Sequence, residues 1–142
     1  MEKLAKTLLP LLLAILLAGC CPCRSYQRKT RRPLAGTPWQ LVQLDGRSVR
    51  PEEGKFVILL SAEGHRLSGR GACNDLKGGF STDEKRRLHI GPVASTRMAC
   101  PETELEQAFI RALESATHYD MDGPMLLLLS DGELRAVFQA KP

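Results

Sequence analysis

The cysteines offer the most varied chemistry in this sequence, and they fall into two groups. Cys20, Cys21 and Cys23 lie close together near the start of the chain, whereas Cys73 and Cys100 lie far apart in its second half. A cysteine thiol can accept a lipid, bind a metal, attack a substrate or pair in a disulfide. The compartment that the chain enters decides which of these reactions is favoured.

The sequence contains few groups that could form an enzyme active site. The three histidines, His65, His89 and His118, lack both the H-E-x-x-H pattern and the paired-cysteine spacing that zinc sites need. The sequence also has no G-x-S-x-G elbow and no Walker phosphate loop. A Cys73 or Cys100 nucleophile paired with a histidine stays open, but an oxidising compartment disfavours it. We therefore predict no catalytic residue, no metal site and no cofactor.

Residues 1–19 have the features of a secretory signal peptide. Lys3 and Lys6 precede an apolar run at residues 8–18, and small residues follow that run. The run has 11 residues, whereas a membrane-spanning helix needs about 20. No second apolar segment of that length follows, so we expect no transmembrane helix in the mature chain.

The four residues Leu17-Ala18-Gly19-Cys20 resemble the bacterial lipobox. The resemblance implies that Cys20 carries a diacylglycerol on its thiol and, after cleavage, a further acyl chain such as palmitate. Because each buried CH₂ contributes about 0.8 kcal/mol, several acyl chains would form a firm membrane anchor. Since Cys21 is not an aspartate, lipoprotein sorting rules imply the outer membrane of the cell envelope, facing the periplasm. The alternative is a plain signal peptide cut near Gly19, which leaves Cys20 as a free thiol.

Basic residues are concentrated directly after the predicted lipid attachment site. Between Cys20 and Pro33 the chain carries five basic residues and no acidic one, which exceeds its net charge of +4. We predict a basic membrane-proximal tether at residues 20–33 that binds anionic lipid head groups, at about 1 kcal/mol per basic residue. A solvated linker is the alternative. The basic residues are Arg24, Arg28, Lys29, Arg31 and Arg32.

Aromatic residues make up only 5% of the chain, so we expect no nucleic-acid partner.

Residues 34–142 predict one domain that is mainly β with one helix, of the α+β class. Short apolar or alternating runs predict strands, and the pairs Asp45-Gly46 and Asp131-Gly132 predict tight turns. Strands at regular spacing favour a barrel or a sandwich. The apolar run that starts at Met125 predicts a central strand covered on both faces. The predicted strands are residues 39–44, 55–61, 65–71, 78–82, 87–90, 93–98, 125–130 and 134–139.

Residues 101–116 predict the single amphipathic helix. Apolar residues recur there at intervals of three and four, which is the periodicity of one helix face. The charged residues Glu102, Glu104, Glu106, Arg111 and Glu114 mostly take the other face. The apolar face contains Leu105, Phe109, Ala112, Leu113 and Ala116.

Two separated motifs resemble the META domain family, which includes HslJ-like heat-shock lipoproteins. The first is L-S-G-R-G-A-C-N at residues 67–74, and the second is G-P-V-A-S-T-R-M-A-C-P at residues 91–101. The resemblance covers residues 34–139 and implies a compact antiparallel, barrel-like fold wrapped round the single helix. The residues that match the family motif are Gly71, Cys73, Asn74, Gly91, Pro92, Thr96, Met98, Cys100 and Pro101.

The motif residues have a structural interpretation. Gly69 and Gly71 permit backbone conformations that a Cβ would hinder, and Asn74 readily makes local turn hydrogen bonds. Cys73 and Cys100 would both lie in the periplasm with 26 residues between them, where a disulfide would constrain the unfolded chain by about 3 kcal/mol. Two buried, reduced thiols are the alternative.

Three functional hypotheses follow from the sequence and the resemblance. The first is a non-catalytic, envelope stress-related module that assists or guards an envelope protein. The second is a binding module for a lipid or a small apolar ligand, which a packed interior would exclude. The third is an inhibitor of a cell-wall hydrolase that acts through a protruding loop at residues 70–79.

Overall fold

The structure, a computed structural model, describes residues 21–142, with side chains from Cys23 onward. The signal peptide predicted at residues 1–19 and the lipid attachment predicted at Cys20 lie outside the described residues. The chain divides into a first unit that ends at Thr30 and a second unit, Arg31–Pro142. Within the described residues, none of the helices is long and apolar enough to cross a membrane.

Helix α1, Cys21–Thr30, occupies most of the predicted basic tether. Its residues Arg24, Arg28 and Lys29 are exposed, and so is the free thiol of Cys23. The tether is therefore helical over these residues, and with the helix of the second unit the described chain has two α-helices.

The second unit consists mainly of β-strands. Between β7 and β8 lies its α-helix, α2, Thr103–Glu114, and a short 3₁₀ helix, Glu63–His65, precedes β4. The strands are β1 Pro38–Leu44, β2 Arg47–Ser48, β3 Val57–Ser61, β4 Arg66–Arg70, β5 Asp75–Thr82, β6 Leu88–Ile90, β7 Ala94–Ser95, β8 His118–Asp122, β9 Met125–Ser130 and β10 Glu133–Ala140.

The strands form a nearly closed, barrel-like antiparallel sheet. Its order is β6-β5-β4-β3-β1-β10-β9-β8, with β2 paired to β1 and β7 paired to β5. The two ends of this order meet, because the Leu88 N–H donates to the Thr117 carbonyl oxygen at 2.9 Å and the Tyr119 N–H donates to the Arg86 carbonyl oxygen at 3.0 Å. The prediction of a mainly β, barrel-like fold is confirmed.

The two Asp-Gly pairs form the turns that the sequence predicts. Asp45 and Gly46 have φ values of 45° and 78°, and Asp131 and Gly132 have φ values of 49° and 86°. Asp-Gly is favoured at such turns because both central residues must adopt positive φ. These turns connect β1 to β2 and β9 to β10.

Aromatic side chains fill the space between the sheet and helix α2. The ring of Phe109 on α2 lies 5.5 Å from the ring of Phe56 and 6.0 Å from that of Phe138, both fully buried. Trp39 is also fully buried, and its indole N–H donates to the Leu34 carbonyl oxygen at 2.9 Å. Helix α2 contacts β1, β6 and β10. That the sheet wraps round this helix stays a prediction.

Strand β9 differs from the sequence-based prediction. It lies between β8 and β10, as expected of a central strand. However, Leu126 and Leu128 are buried whereas Leu127 and Leu129 are only half-buried. The prediction that both faces are covered is wrong, because the core packs against one face of the barrel-like sheet.

Two further differences concern the short strands. The sequence did not predict strand β8, H-Y-D-M-D, because its residues are half-buried or exposed and contain no dense apolar run. The strand predicted at residues 93–98 is confined to β7, Ala94–Ser95. It ends there because the side chain of Asn74, and not a neighbouring strand, binds the peptide groups of Met98.

Because Phe109 is buried between helix α2 and the sheet, we expect its truncation to lower the stability of the fold strongly. We expect Phe109→Ala to lower the free energy of unfolding by about 3–5 kcal/mol, because it removes a buried ring and leaves a cavity. The exposed Leu134 is the matched control, and Leu134→Ala should change the free energy by less than about 1 kcal/mol. Urea denaturation followed by circular dichroism measures both changes. Equal effects of the two substitutions would contradict this description of the core.

Candidate functional site

The two sequence motifs meet at one carboxylate, that of Glu106. This side chain is only 4% exposed, and it lies on helix α2 on the same side as the buried Phe109 and Leu113. Placing Glu106 on the polar face of the helix was therefore wrong. Its spacing was the available signal, since Glu106 precedes Phe109 by three residues and Leu113 by seven, which is the spacing of one helix face.

The carboxylate of Glu106 binds the turn between β4 and β5. Its Oε2 accepts hydrogen bonds from the backbone N–H groups of Cys73 at 3.0 Å and Asn74 at 3.1 Å. Its Oε1 accepts a hydrogen bond from Nδ2 of Asn74 at 2.5 Å. Successive backbone N–H groups of this kind form a concave site for an anion. Here the anion is supplied by the protein itself.

Gly71 allows the carboxylate to approach this turn. A Cβ at position 71 would lie 2.7 Å from Cγ and 2.8 Å from Cδ of Glu106, closer than real Cβ contacts allow. The predicted reason for this glycine, a backbone conformation that a Cβ would hinder, is wrong, because Gly71 is not among the residues with positive φ. The obstacle to a Cβ is the Glu106 side chain.

The Asn74 side chain connects the first motif to the second. Its Oδ1 accepts hydrogen bonds from the Met98 N–H and from the Thr96 hydroxyl, both at 2.8 Å. Its Nδ2 donates to the Met98 carbonyl oxygen at 3.2 Å as well as to Glu106. An amide side chain has two donors and two acceptor sites, so all four are used. Asn74 makes a local turn hydrogen bond only through its backbone, since its carbonyl oxygen accepts from the Gly71 N–H at 2.8 Å. The partners of its side chain lie 22 to 32 residues away.

A disulfide between Cys73 and Cys100 provides the second link between the motifs. The structure thus contains the predicted bridge and not the two reduced thiols. Cys100 is also tied to the start of α2, because the Thr103 hydroxyl donates to its carbonyl oxygen at 2.7 Å. Thr96 is held in addition by the Asp75 N–H, which donates to the Thr96 hydroxyl at 3.1 Å.

Not every residue of the family motif joins this cluster. Pro101 lies two residues before the start of α2. The motif residues that come together around Glu106 are Gly71, Cys73, Asn74, Thr96, Met98 and Cys100. Gly91 and Pro92 lie between β6 and β7, where the Gly91 N–H donates to the Gly79 carbonyl oxygen at 2.9 Å. We define the Glu106 cluster as Glu106, Gly71, Cys73, Asn74, Thr96, Met98 and Cys100.

Electrostatics favours the ionised form of Glu106. Burial opposes ionisation, but hydrogen bonds from the Asn74 side chain and from the backbone N–H groups of Cys73, Asn74 and Ala72 outweigh it. The pKa of Glu106 is therefore lowered from its ordinary value of 4.5. A carboxylate that is ionised and already surrounded by protein donors is suited to hold two segments together.

The surface above the Glu106 cluster is exposed. Residues 94–99 are all exposed. The backbone of this segment is nevertheless hydrogen-bonded, because the Thr96 N–H donates to the Asp75 carbonyl oxygen and the Met98 N–H donates to Asn74. Met98 is 59% exposed, the largest value for a large apolar side chain among the described residues. We call residues 94–99 the Met98 segment.

The histidines lie apart from this cluster. His65, His89 and His118 are all exposed, and the ring of His65 packs edge-on against Phe80 at 5.9 Å. Among residues 21–142, no three or more histidine, cysteine or acidic side chains are arranged so that they could hold a metal ion.

Comparisons with known proteins agree with this architecture. The family model of the META domain matches residues 32–142. An NMR structure of a protein from Burkholderia xenovorans is 28% identical, with a TM-score of 0.58 over 76% of this chain and 83% of that one. A crystal structure of a DUF4847 family protein from Bacteroides vulgatus is 21% identical, with a TM-score of 0.58 over 75% of this chain and 93% of that one, and it indicates the fold alone. No curated protein matches the chain.

Because Glu106 is buried, we expect its substitution to destabilise the fold more than the substitution of an exposed glutamate on the same helix. We expect Glu106→Gln to lower the free energy of unfolding by about 2–4 kcal/mol, because a neutral amide leaves at least one buried N–H without an acceptor. Glu104 on the same helix is exposed, so Glu104→Gln should cost less than about 0.5 kcal/mol. Urea denaturation of both variants at pH 7 measures these values. A Glu106→Gln variant as stable as Glu104→Gln would contradict the assigned role.

The lowered pKa of Glu106 predicts how the difference in unfolding free energy between the wild type and Glu106→Gln varies with pH. A carboxylate whose pKa is lower in the folded state stabilises the fold above the unfolded-state pKa, and this contribution is lost as pH falls through the folded-state pKa. The difference in unfolding free energy should therefore be constant from neutral pH down to about 5 and shrink below about 4.5. Denaturation between pH 7 and pH 3 tests this. If this difference in unfolding free energy grew on acidification, folding would raise the pKa of Glu106 and not lower it.

Proposed function

Since the chain belongs to the META domain family, we propose that it is a non-catalytic protein-interaction module of the bacterial envelope that binds its partner through the Met98 segment. The main support for this proposal is that the Met98 segment is exposed although its backbone is held in place. All of its residues are exposed, including Arg97 and Met98, while the Glu106 cluster and the disulfide fix its backbone. A binding segment that is already ordered loses less conformational entropy on association.

Met98 and Arg97 have the chemistry of interface anchors. Methionine is unbranched and polarisable, so it adapts to apolar pockets and is frequent at binding surfaces. Arginine is also enriched among residues that dominate binding energy. Arg97 is exposed and forms no ion pair within residues 21–142, so its guanidinium is open to a partner's carboxylate.

The open edge of β7 adds a backbone contact. Within the described sheet, β7 pairs with β5 alone. An extended peptide of the partner could pair with the other edge through main-chain hydrogen bonds. The neighbouring side chains of Arg97 and Met98 would then provide specificity.

The proposed location in the envelope rests on the first residues of the chain. A lipid on Cys20 would hold the protein at the outer membrane, facing the periplasm. In helix α1, Arg24 and Arg28 are four residues apart and share a helix face. Together with Lys29 they would bind anionic head groups. The proposed connection with envelope stress comes from the family resemblance.

The structure does not support a ligand site in the interior or a protruding loop at residues 70–79. Large apolar side chains, including Trp39, Phe109 and Phe138, fill the interior where a ligand was predicted to bind. The protruding loop predicted at residues 70–79 is wrong, because residues 75–79 belong to β5 and Gly71, Ala72 and Asn74 are buried. Neither an interior ligand nor a protruding inhibitory loop is therefore part of the proposal.

Site-specific photocrosslinking in cells tests the proposed surface. A benzophenone amino acid in place of Met98 should give a discrete crosslinked product with an envelope protein, because position 98 would lie in the interface. The same amino acid in place of Leu134, which is 39% exposed on β10, is the control and should give no such product.

Two outcomes would contradict the proposal. One is the absence of a crosslinked product at position 98 under both normal and heat-stressed growth. The other is the same product at positions 98 and 134, which would indicate random collision in the envelope.

A further inference from the structure

A second candidate binding surface lies beside the first turns of α2, and none of its lining residues belongs to the Met98 segment. The connection between β1 and β3 and the first turns of α2 enclose an open groove of about 570 Å³. Sites for small molecules typically measure about 300–1,000 Å³. We call this the Arg47–Arg50 groove, after the two basic residues that line it.

The floor and walls of the groove are apolar. Leu44 and Phe56 lie at its base and are buried. Val49 forms one wall, and Leu105 and Ala108 of α2 form the other, and all three are only half-buried. Leu105 and Ala108 are three residues apart, so they present one continuous strip of the helix. Apolar surface of this kind gains stability when a ligand removes it from water.

The four charged residues that line the groove, Asp45, Arg47, Arg50 and Glu102, differ in whether they have an ion-pair partner. Glu102 is already engaged, because its Oε2 lies 2.9 Å from Nζ of Lys55. Asp45 is engaged as well, with its Oδ1 3.5 Å from Nη1 of Arg135. Arg47 and Arg50 are exposed and have no carboxylate partner in the part of the chain that the structure describes. Of the charged residues that line this groove, the two without an ion-pair partner among the described residues are thus both arginines.

We propose that the Arg47–Arg50 groove binds a single-chain anionic lipid. Its acyl chain would contact Val49, Leu105 and Ala108 over the buried floor. Its phosphate or carboxylate would accept hydrogen bonds from the two guanidinium groups, which match the planar geometry of such oxyanions. Lys55 would not compete for this head group, because it already binds the carboxylates of Glu52 and Glu102.

This occupant is favoured over a neutral apolar ligand by charge complementarity. A neutral chain would use the apolar walls but would leave both arginines without a partner. An inorganic anion would use the arginines but would leave the apolar walls exposed to water. A single-chain anionic lipid uses both features at once.

Binding of octyl phosphate to the full chain in phosphatidylcholine nanodiscs tests the proposal. The methyl NMR signals of Val49 and Leu105 should shift at saturating probe, while those of Leu134 stay unchanged. Shortening the alkyl chain should weaken binding by about fourfold per CH₂ removed. Inorganic phosphate and the neutral probe octyl glucoside should each bind at least about tenfold more weakly.

Charge-matched variants separate the groove from general electrostatics. The double variant Arg47→Gln/Arg50→Gln should weaken binding of octyl phosphate by at least about tenfold. The double variant Arg66→Gln/Lys77→Gln removes the same charge from exposed positions on β4 and β5, outside the groove, and should change binding by less than about twofold. A third variant, Ala108→Phe, should block binding by filling the groove.

Three results would overturn the proposal. They are equal binding of octyl phosphate and octyl glucoside, equal weakening by the two charge variants, and shifts at Leu134 in place of Val49 and Leu105. None of them bears on the Met98 segment, because none of its residues lines the groove.

Discussion

The structure depends on the requirement that a buried carboxylate be surrounded by hydrogen-bond donors. Glu106 lies in an apolar environment where an unpaired charge would be very costly. It obtains its donors from Cys73 and Asn74, in a turn more than 30 residues away in sequence. Asn74 in turn binds Thr96 and Met98. One electrostatic constraint therefore fixes the positions of both family motifs.

Helix α2 serves three regions of the molecule through different side chains. Phe109 packs into the aromatic core, and Glu106 holds the motifs. Leu105 and Ala108 line the Arg47–Arg50 groove. A shift of this helix would therefore disturb the core, the Met98 segment and the groove together. The Cys73–Cys100 disulfide limits such a shift, because it ties the segment that precedes the helix to the turn that Glu106 binds.

Local patterns in the sequence predicted much of the fold but little of the site. The turns at Asp45-Gly46 and Asp131-Gly132 and the helix around Phe109 follow from residue type and periodicity, which act over a few residues. The Glu106 cluster depends on partners that only the folded chain brings together. A glutamate on a helix is usually solvated, so its residue type pointed to the wrong face, although its spacing from Phe109 indicated the right one.

Asn74 and Glu106 hold the exposed Met98 segment in a fixed conformation. Hydrogen exchange of the Met98 amide tests it most directly, because this N–H donates to Oδ1 of Asn74 at 2.8 Å. We predict that the amide is protected in the wild type and that Asn74→Ala lowers its protection by at least about tenfold relative to Leu127 in β9. A Met98 amide that exchanges like an unstructured peptide in the wild type, or that keeps its protection in Asn74→Ala, would show that Asn74 does not hold this segment.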